Sequence, residues 1–434
     1  MDPEPLRPGD RIVVTIEKGI YSGLGLARHQ GQVVLVPRAF RGDSGRVLVE
    51  SVTRGFARAV LEELAVPAAE RRASPCPYSE RCGGCAYQEI AYAEQVALKE
   101  AILHETLQRG GAPWEGEIPV LSSPEVGWRT RATLHFSAAE GRLALGFHRA
   151  GTHDVVDVES CLQLSTSMNR GARSLLEALR PRRTLWPRLR RLDLAESGDG
   201  KELVALLDAD FEATEVGSFS SLADGIPWLT GLGVLTGRHP RRFVSLVGEP
   251  FVHAEVGGFR LRAHVRSFFQ GNRFLLDDLV RDVVSLVPPG GPVLDLYAGV
   301  GLLALPLASR AEQVLGVELN ATAVEDAQAN VKAAGSRVVR ILQGDVGQVL
   351  ASRRAEPGER IVLDPPRTGA GPEVVAAVSA RRPEAVVYVS CDPPTLARDL
   401  AAFRRAGYEA DAIRAFDLFP DTAHLETLVR LRPR

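Results

Sequence analysis

Cys391 stands apart from the other four of the chain's five cysteines, in the run Ser390-Cys391-Asp392-Pro393. The residues before it, Ala385-Val386-Val387-Tyr388-Val389, read as a strand, and Thr395-Leu396-Ala397-Arg398-Asp399 opens a helix after it. A thiol beside a helix N-terminus feels the positive end of the dipole, which favours the thiolate. A free thiol, with a pKa of about 8.5, is mostly unionised near neutrality, so a nucleophilic role requires such activation. A lone cysteine is more often a small buried hydrophobe. A place at a strand end, on the ligand side of a sheet, favours the nucleophile.

Acidic and glycine residues recur at other strand ends. Asp295-Leu296-Tyr297-Ala298-Gly299-Val300-Gly301 follows a first strand, where Gly299 and Gly301 let backbone approach a ligand closely. Glu318 ends the next strand, 17 residues after Gly301, and an acid there can accept both ribose hydroxyls. Asp345 follows a third strand, where it can meet an adenine amine, and Asp364-Pro365-Pro366-Arg367 ends a fourth. Ligands of open α/β sheets bind beyond the carboxyl ends of the strands. A dinucleotide enzyme explains the first two features but not the aspartate and prolines after the fourth strand. Each residue singly could be a cap or a turn; all four at strand ends are the layout of a class I methyltransferase.

The need for a nucleophile narrows the reaction. A nitrogen or oxygen acceptor attacks a methyl donor directly, whereas carbon 5 of a pyrimidine does not. A thiolate added to carbon 6 makes carbon 5 enolate-like, and a base must afterwards remove its proton. His424 and Glu426, in Phe419-Pro420-Asp421-Thr422-Ala423-His424-Leu425-Glu426, are both candidates for that base.

Ser390-Cys391-Asp392-Pro393, Asp364-Pro365-Pro366-Arg367, Ser267-Phe268-Phe269-Gln270 and Pro420-x-Thr422-x-His424-x-Glu426 together resemble the RNA uracil-5-methyltransferase family. The resemblance implies an S-adenosylmethionine-dependent enzyme with Cys391 as nucleophile and Glu426 as base. It implies cofactor contacts from Gln270, Tyr297, Glu318, Asp345 and Asp364, beside Gly299 and Gly301. Two positions depart from the pattern: Leu302 stands where a polar residue is common, and Asp421 where a histidine is.

The other four thiols form a second constellation. Cys76-x5-Cys82-x2-Cys85 is followed, after 75 intervening residues, by Cys161. Four thiolates hold tetrahedral zinc or a [4Fe–4S] cluster, and spacing alone favours zinc. Pro75-Cys76-x-Tyr78, Cys82-Gly83-Gly84-Cys85 and Gln88 resemble the iron–sulfur segment of the ribosomal-RNA branch of the family. That resemblance implies a structural or RNA-positioning [4Fe–4S] cluster, with zinc as the alternative.

These residues need three kinds of scaffold. Residues 10–63 hold short β-branched runs punctuated by glycines, which predicts a five-stranded barrel of the OB type. Lys18-Gly19-Ile20-Tyr21-Ser22-Gly23-Leu24-Gly25 and Val36-Pro37-Arg38-Ala39-Phe40-Arg41-Gly42 there resemble a TRAM domain. Tyr92 to Arg109 has helical periodicity and stops at Gly110-Gly111. Residues 128–262 read as many short strands, and from about 265 helices and strands alternate, as in a doubly wound parallel sheet. The predicted architecture is α/β: a TRAM-like barrel over 1–65, a β-rich central iron–sulfur domain over 66–262, and a Rossmann-like methyltransferase domain over 263–434. The helix at 92–111 is expected to pack on the last of these.

Composition sets outer bounds. The 434 residues are 45% apolar and 24% charged, ordinary for globular protein and too polar for a membrane class. The apolar run Val293 to Ala308 contains Asp295 and is short for a bilayer span, and Met1-Asp2-Pro3-Glu4-Pro5 lacks the pattern of a signal peptide. A cytoplasmic monomer is expected. The net charge of −2 gives no global attraction for nucleic acid, so an RNA site must be local. Arg170 to Arg191, with eight arginines, is one candidate patch, although a charge run is more often a solvated face. Arg129 and Arg131 are candidate RNA contacts. A TRAM-like segment beside a cysteine cluster resembles the large-subunit rRNA enzymes; the alternatives are the same chemistry on tRNA and a non-catalytic RNA-binding protein that keeps the fold. A flipped uridine in a loop or single strand is the expected target.

Overall fold

The structure, a computed structural model, describes residues 5–139, 141–211, 219, 221, 222, 226, 228–237 and 241–434. Met1 to Glu4 of the N-terminal reading lie outside the described residues. Among the described residues no helix is long and apolar enough to cross a membrane.

The C-terminal half is built on an eight-stranded sheet. Its order is Val339–Gln343, Gln313–Glu318, Pro292–Leu296, Arg360–Leu363, Ala385–Ser390, Glu426–Pro433, Tyr408–Phe416 and Val120–Leu121. The first five strands are parallel, and Glu426–Pro433 runs antiparallel to both its neighbours. The central parallel strands are buried on both faces, which is why Pro292–Leu296, Arg360–Leu363 and Ala385–Ser390 are nearly unbroken apolar runs. One face packs around Val283, Leu305, Val362 and Val387, the other around Leu296, Leu363, Tyr388 and Phe403.

The helix Tyr92–Arg109 buries Leu103 and Leu107 in the second of these cores, and Val120–Leu121 adds the last strand to the sheet. The chain therefore crosses to the C-terminal sheet early, leaves it, and returns. The helix expected from about Leu302 shrinks to Ala304–Leu307. Pro306 has no N–H to bond back to the carbonyl of residue 302 and crowds it, so the turn stays short.

Six N-terminal strands, Arg11–Thr15, Lys18–Ile20, Leu24–His29, Gln32–Pro37, Ser44–Thr53 and Phe56–Val66, make one sheet rather than the expected five-stranded set. Three register shifts bend the long last hairpin, so that the sheet curls around Val14, Ala27, Val34, Val47 and Ala57. In sequence a seven-stranded sheet comes between the two, from Val155–Asp157 at one edge to Arg242–Gly248 at the other, with the helix Thr166–Leu179 on its core. The arginine-dense stretch crosses this helix, a 3-10 turn and a strand; Arg173 pairs with Glu177 and Arg191 with Asp193 and Asp208. The hairpin Phe251–Val256 and Phe259–His264 packs Val256 and Leu261 into the core of the C-terminal sheet.

Candidate active site

The sheet reverses its winding beside Pro292–Leu296: the chain builds outward on one side through Gln313–Glu318, then returns to place Arg360–Leu363 on the other. Such a switch point opens a crevice at the carboxyl strand ends. The expected cofactor residues stand around it. Tyr297 has φ +68°, a strained value for a residue with a side chain, followed by Gly299 at +54° and Gly301 at +86°. Strain of this kind costs about 1–3 kcal/mol and collects at ligand sites. Glu318 is held by two amides: Gly299 donates to Oε2 at 3.0 Å and Asn320 to Oε1 at 2.7 Å. Each oxygen keeps a lone pair for a further donor. Asp345 caps the helix Val346–Ser352, accepting from the Gln348 amide at 3.0 Å.

Gln270 is buried and hydrogen-bonds Glu426. The loop that carries it is fixed from behind. Arg131 donates to the carbonyls of Ser267 (2.7 Å), His264 (3.3 Å) and Val265 (3.4 Å), and Ser267 Oγ donates to Asp326 (2.7 Å). Arg131 is thereby a structural clamp, which corrects the expectation of an RNA contact: its guanidinium faces inward, onto carbonyls that would otherwise be bare. Arg129 instead lies against the Trp128 ring, 4.9 Å from its centroid, and lines the cysteine cavity.

The nucleophile and base candidates meet through sheet register. Ser390 pairs with Thr427 on the antiparallel strand, so Cys391 leaves the sheet next to Glu426, although 35 positions separate them in sequence. Glu426 is 1% exposed, and burial followed by the charge of Asp364 raises its pKa. Burial raises Asp364 in the same way. His424, by contrast, is pulled down to about 4 by burial and by Arg367, whose Nη2 lies 3.3 Å from His424 Nε2.

The expected depression of Cys391 by the helix dipole is not found. The helix is Pro393–Arg405, and its first two residues are prolines with no N–H to offer; Asp392 accepts from the next free amide, Thr395, at 2.9 Å. Burial, then the negative charge of Glu426, pushes the thiol up to about 12, with Arg367 the opposing cation. Three residues here carried no assigned role in the sequence. Asp295 is fully buried; burial, then the charge of Asp364, pushes it up to about 8 against the backbone amide of Ala304. Arg367 faces Cys391, and Tyr21 hydrogen-bonds Asp392 from the N-terminal sheet. A strand-end motif signals the first two; nothing local signals Tyr21.

Cys76, Cys82, Cys85 and Cys161 line one cavity of about 540 Å³, mouth included, with Gln88, Arg129 and Gln163. The Gly84 amide points at Cys82 Sγ (3.4 Å) and the Gln88 amide at Cys85 Sγ (3.5 Å). Among the described residues, however, no group of three or more His, Cys, Asp or Glu side chains is arranged to hold a metal ion. The four sulfurs converge on one space without forming a closed ligand set.

An open sheet with a reversed antiparallel strand, a strained glycine loop and acids at successive strand ends defines a methyltransferase. The chain belongs to the tRNA (uracil-5-)-methyltransferase family, which it matches over residues 91–434. It is 32% identical to the 23S rRNA (uracil(1939)-C(5))-methyltransferase RlmD of Pectobacterium atrosepticum, across 97% of this chain and 93% of that one. It is 31% identical to an uncharacterized RNA methyltransferase of Aquifex aeolicus, across 96% and 97%. Among solved structures it resembles the Pyrococcus abyssi tRNA (uracil-54, C5)-methyltransferase in complex with S-adenosyl-L-homocysteine, with TM-score 0.76 and 25% identity over 96% of this chain and 99% of that one. The chain is thus an RNA methyltransferase whose fold takes S-adenosylmethionine.

Proposed function

We propose that the enzyme methylates carbon 5 of a uridine in 23S rRNA through a covalent bond between Cys391 and carbon 6 of the base. The observation that carries this reading is the register that sets Cys391 and Glu426 together, with Asp364 beside them at the switch point. S-adenosylmethionine, when bound, supplies an electrophilic methyl group. Tyr297, Gly299, Gly301, Glu318, Asp345, Asp364 and Gln270 would hold it, with the exposed Leu319 beside Glu318 as an apolar wall for the purine.

In this reading Cys391 gives up its thiol proton to solvent and the thiolate bonds to carbon 6; the electron pair shifted to carbon 5 takes the methyl group, and S-adenosylhomocysteine leaves. Glu426 then removes the carbon 5 proton, and the carbon–sulfur bond breaks to regenerate the cysteine. The raised pKa of Glu426 suits it to that proton transfer. His424, held neutral and against a guanidinium, is the poorer candidate. Substitution of Cys391 by alanine should abolish both methyl transfer and covalent capture of 5-fluorouridine RNA; full turnover in that variant would refute the mechanism.

The rRNA assignment leans on the RlmD relatives, which match along almost the whole chain. The Pyrococcus neighbour supports tRNA as the second reading. Mapping 5-methyluridine in both RNAs from a deletion strain separates them. The division into a TRAM-like RNA-binding sheet (1–65), a cysteine-bearing central part (66–262) and the catalytic part (263–434) belongs to the same reading, as does a cytoplasmic monomer. The four cavity cysteines would hold a [4Fe–4S] cluster in a structural role only after closing into a ligand set; their lining of one cavity, with amide donors aimed at two of them, supports this reading. A brown protein carrying iron and inorganic sulfide supports the cluster, and stoichiometric zinc supports the alternative.

A further inference from the structure

We infer that the N-terminal sheet completes the catalytic centre: its turn Tyr21–Gly23 is wedged among the loops bearing nucleophile, base and cavity cysteines, and Tyr21 is a positioning residue for Cys391. The inference rests on Cys391 being the nucleophile.

The contacts come from three directions. The Tyr21 hydroxyl donates to Oδ2 of Asp392, the residue after Cys391, across 371 positions of sequence. The other oxygen of Asp392 accepts from the amide and the hydroxyl of Thr395, each at 2.9 Å. Asp392 is therefore clamped on both oxygens, which fixes the backbone where Cys391 leaves its strand. Next in the turn, Ser22 and Gly23 have φ +74° and +76°. A Cβ on Gly23 would stand 2.6 Å from Ala86 Cβ and 3.5 Å from Ala423 Cβ. The turn thus presses at once on the segment after Cys85 and on the segment before His424. Behind it, Phe40 and Ala68 join Tyr87 and Ile90 in an apolar cluster that also takes in Leu98 and Ala423. A separate RNA-binding appendage would have no use for a side chain bonded inside the catalytic loop.

The electrostatic consequence has a definite sign. A hydroxyl donating to Asp392 draws part of its negative charge away from the Cys391 sulfur. The remaining charges around that sulfur are Glu426 and Asp364, which oppose a thiolate, and Arg367, which favours it. Arg367 also faces Tyr21, and His424 faces both Arg367 and Asp392. Replacing Tyr21 by phenylalanine keeps the wedge and removes only the donor, so the thiolate becomes harder to form.

The test is alkylation of Cys391 in the full-length protein by iodoacetamide across a pH series, read on the Cys391 peptide by mass spectrometry. Tyr21→Phe should label roughly three- to tenfold more slowly at a given pH, the share of one lost hydrogen bond on Asp392 that reaches the neighbouring sulfur. Its profile should move to higher pH while the unfolding midpoint stays in place. A profile superimposable on that of the unsubstituted protein overturns the role of Tyr21. Methyl transfer by Cys391→Ala separates the two levels. Transfer retained there sinks the nucleophile itself; transfer lost there, with the Tyr21→Phe profile unmoved, sinks only the positioning role.

Discussion

Ser390 faces Thr427 across an antiparallel strand pair, and the next residue along one strand and the previous one along the other are Cys391 and Glu426. The proposed nucleophile and base thus stand at the end of one hydrogen-bonded strand pair, so a single substitution can separate their roles without moving the pair.

Glu426→Gln keeps shape and hydrogen bonding while removing the base. Bond formation at carbon 6 and methyl transfer precede loss of the carbon 5 proton, so a methylated RNA–protein adduct should accumulate while turnover falls about 10²–10⁴-fold. Denaturing gels with a labelled methyl donor read the adduct. Release of product at the normal rate would assign the base elsewhere.

The Cys391 thiol is pushed up to about 12 in the free protein. A raised thiol pKa means the reactive anion is scarce below it and increases about tenfold per pH unit. Alkylation of Cys391 should therefore climb steadily from neutral to strongly alkaline pH. A plateau near pH 7 would show an activated thiolate, as the sequence alone leads one to expect.

Asp295 is buried and pushed up to about 8. Between its ordinary range and about 8 the folded state holds a proton that the unfolded state has released, so stability declines as pH rises through that window. Asp295→Asn removes this dependence and should raise stability at neutral pH by on the order of 2 kcal/mol. Calorimetry across pH checks this; an unchanged midpoint would mean that the buried carboxyl costs nothing.

Asp421, at φ +64°, accepts from Gln163 (2.7 Å) and Gln95 (2.9 Å), and its carbonyl accepts from the amides of Ala86 and Tyr87 at 2.9 Å. It ties the cysteine-bearing segment to the one carrying Glu426. Asp421→Asn turns one acceptor into a donor facing a glutamine amide, and should cost about 1–3 kcal/mol. Denaturant unfolding measures it; an unchanged midpoint would mean that the glutamines reorient freely.

The catalytic strands were readable because a parallel sheet buried on both faces imposes unbroken apolar runs, and Arg360–Leu363 and Gln313–Glu318 fall where those runs lie. The helix Tyr92–Arg109 was equally plain from periodicity and its terminal glycines. Its place against the C-terminal core was less so, because periodicity states that a face is apolar and leaves open what covers it. The N-terminal glycines indicated a small curled sheet, while its sixth strand and bulges depend on cross-strand pairing.

By itself the sequence determined which side chains can do chemistry: a lone thiol, acids at strand ends, and four thiols in one constellation. Residue type and local spacing suffice for that, since each signal is short-range. Only the tertiary structure decided what those groups experience. It raised Cys391 rather than lowering it, turned Arg131 inward, and brought Tyr21 to Asp392. Burial and the field of neighbouring charges depend on distances in space between residues hundreds of positions apart, and no local pattern encodes those distances.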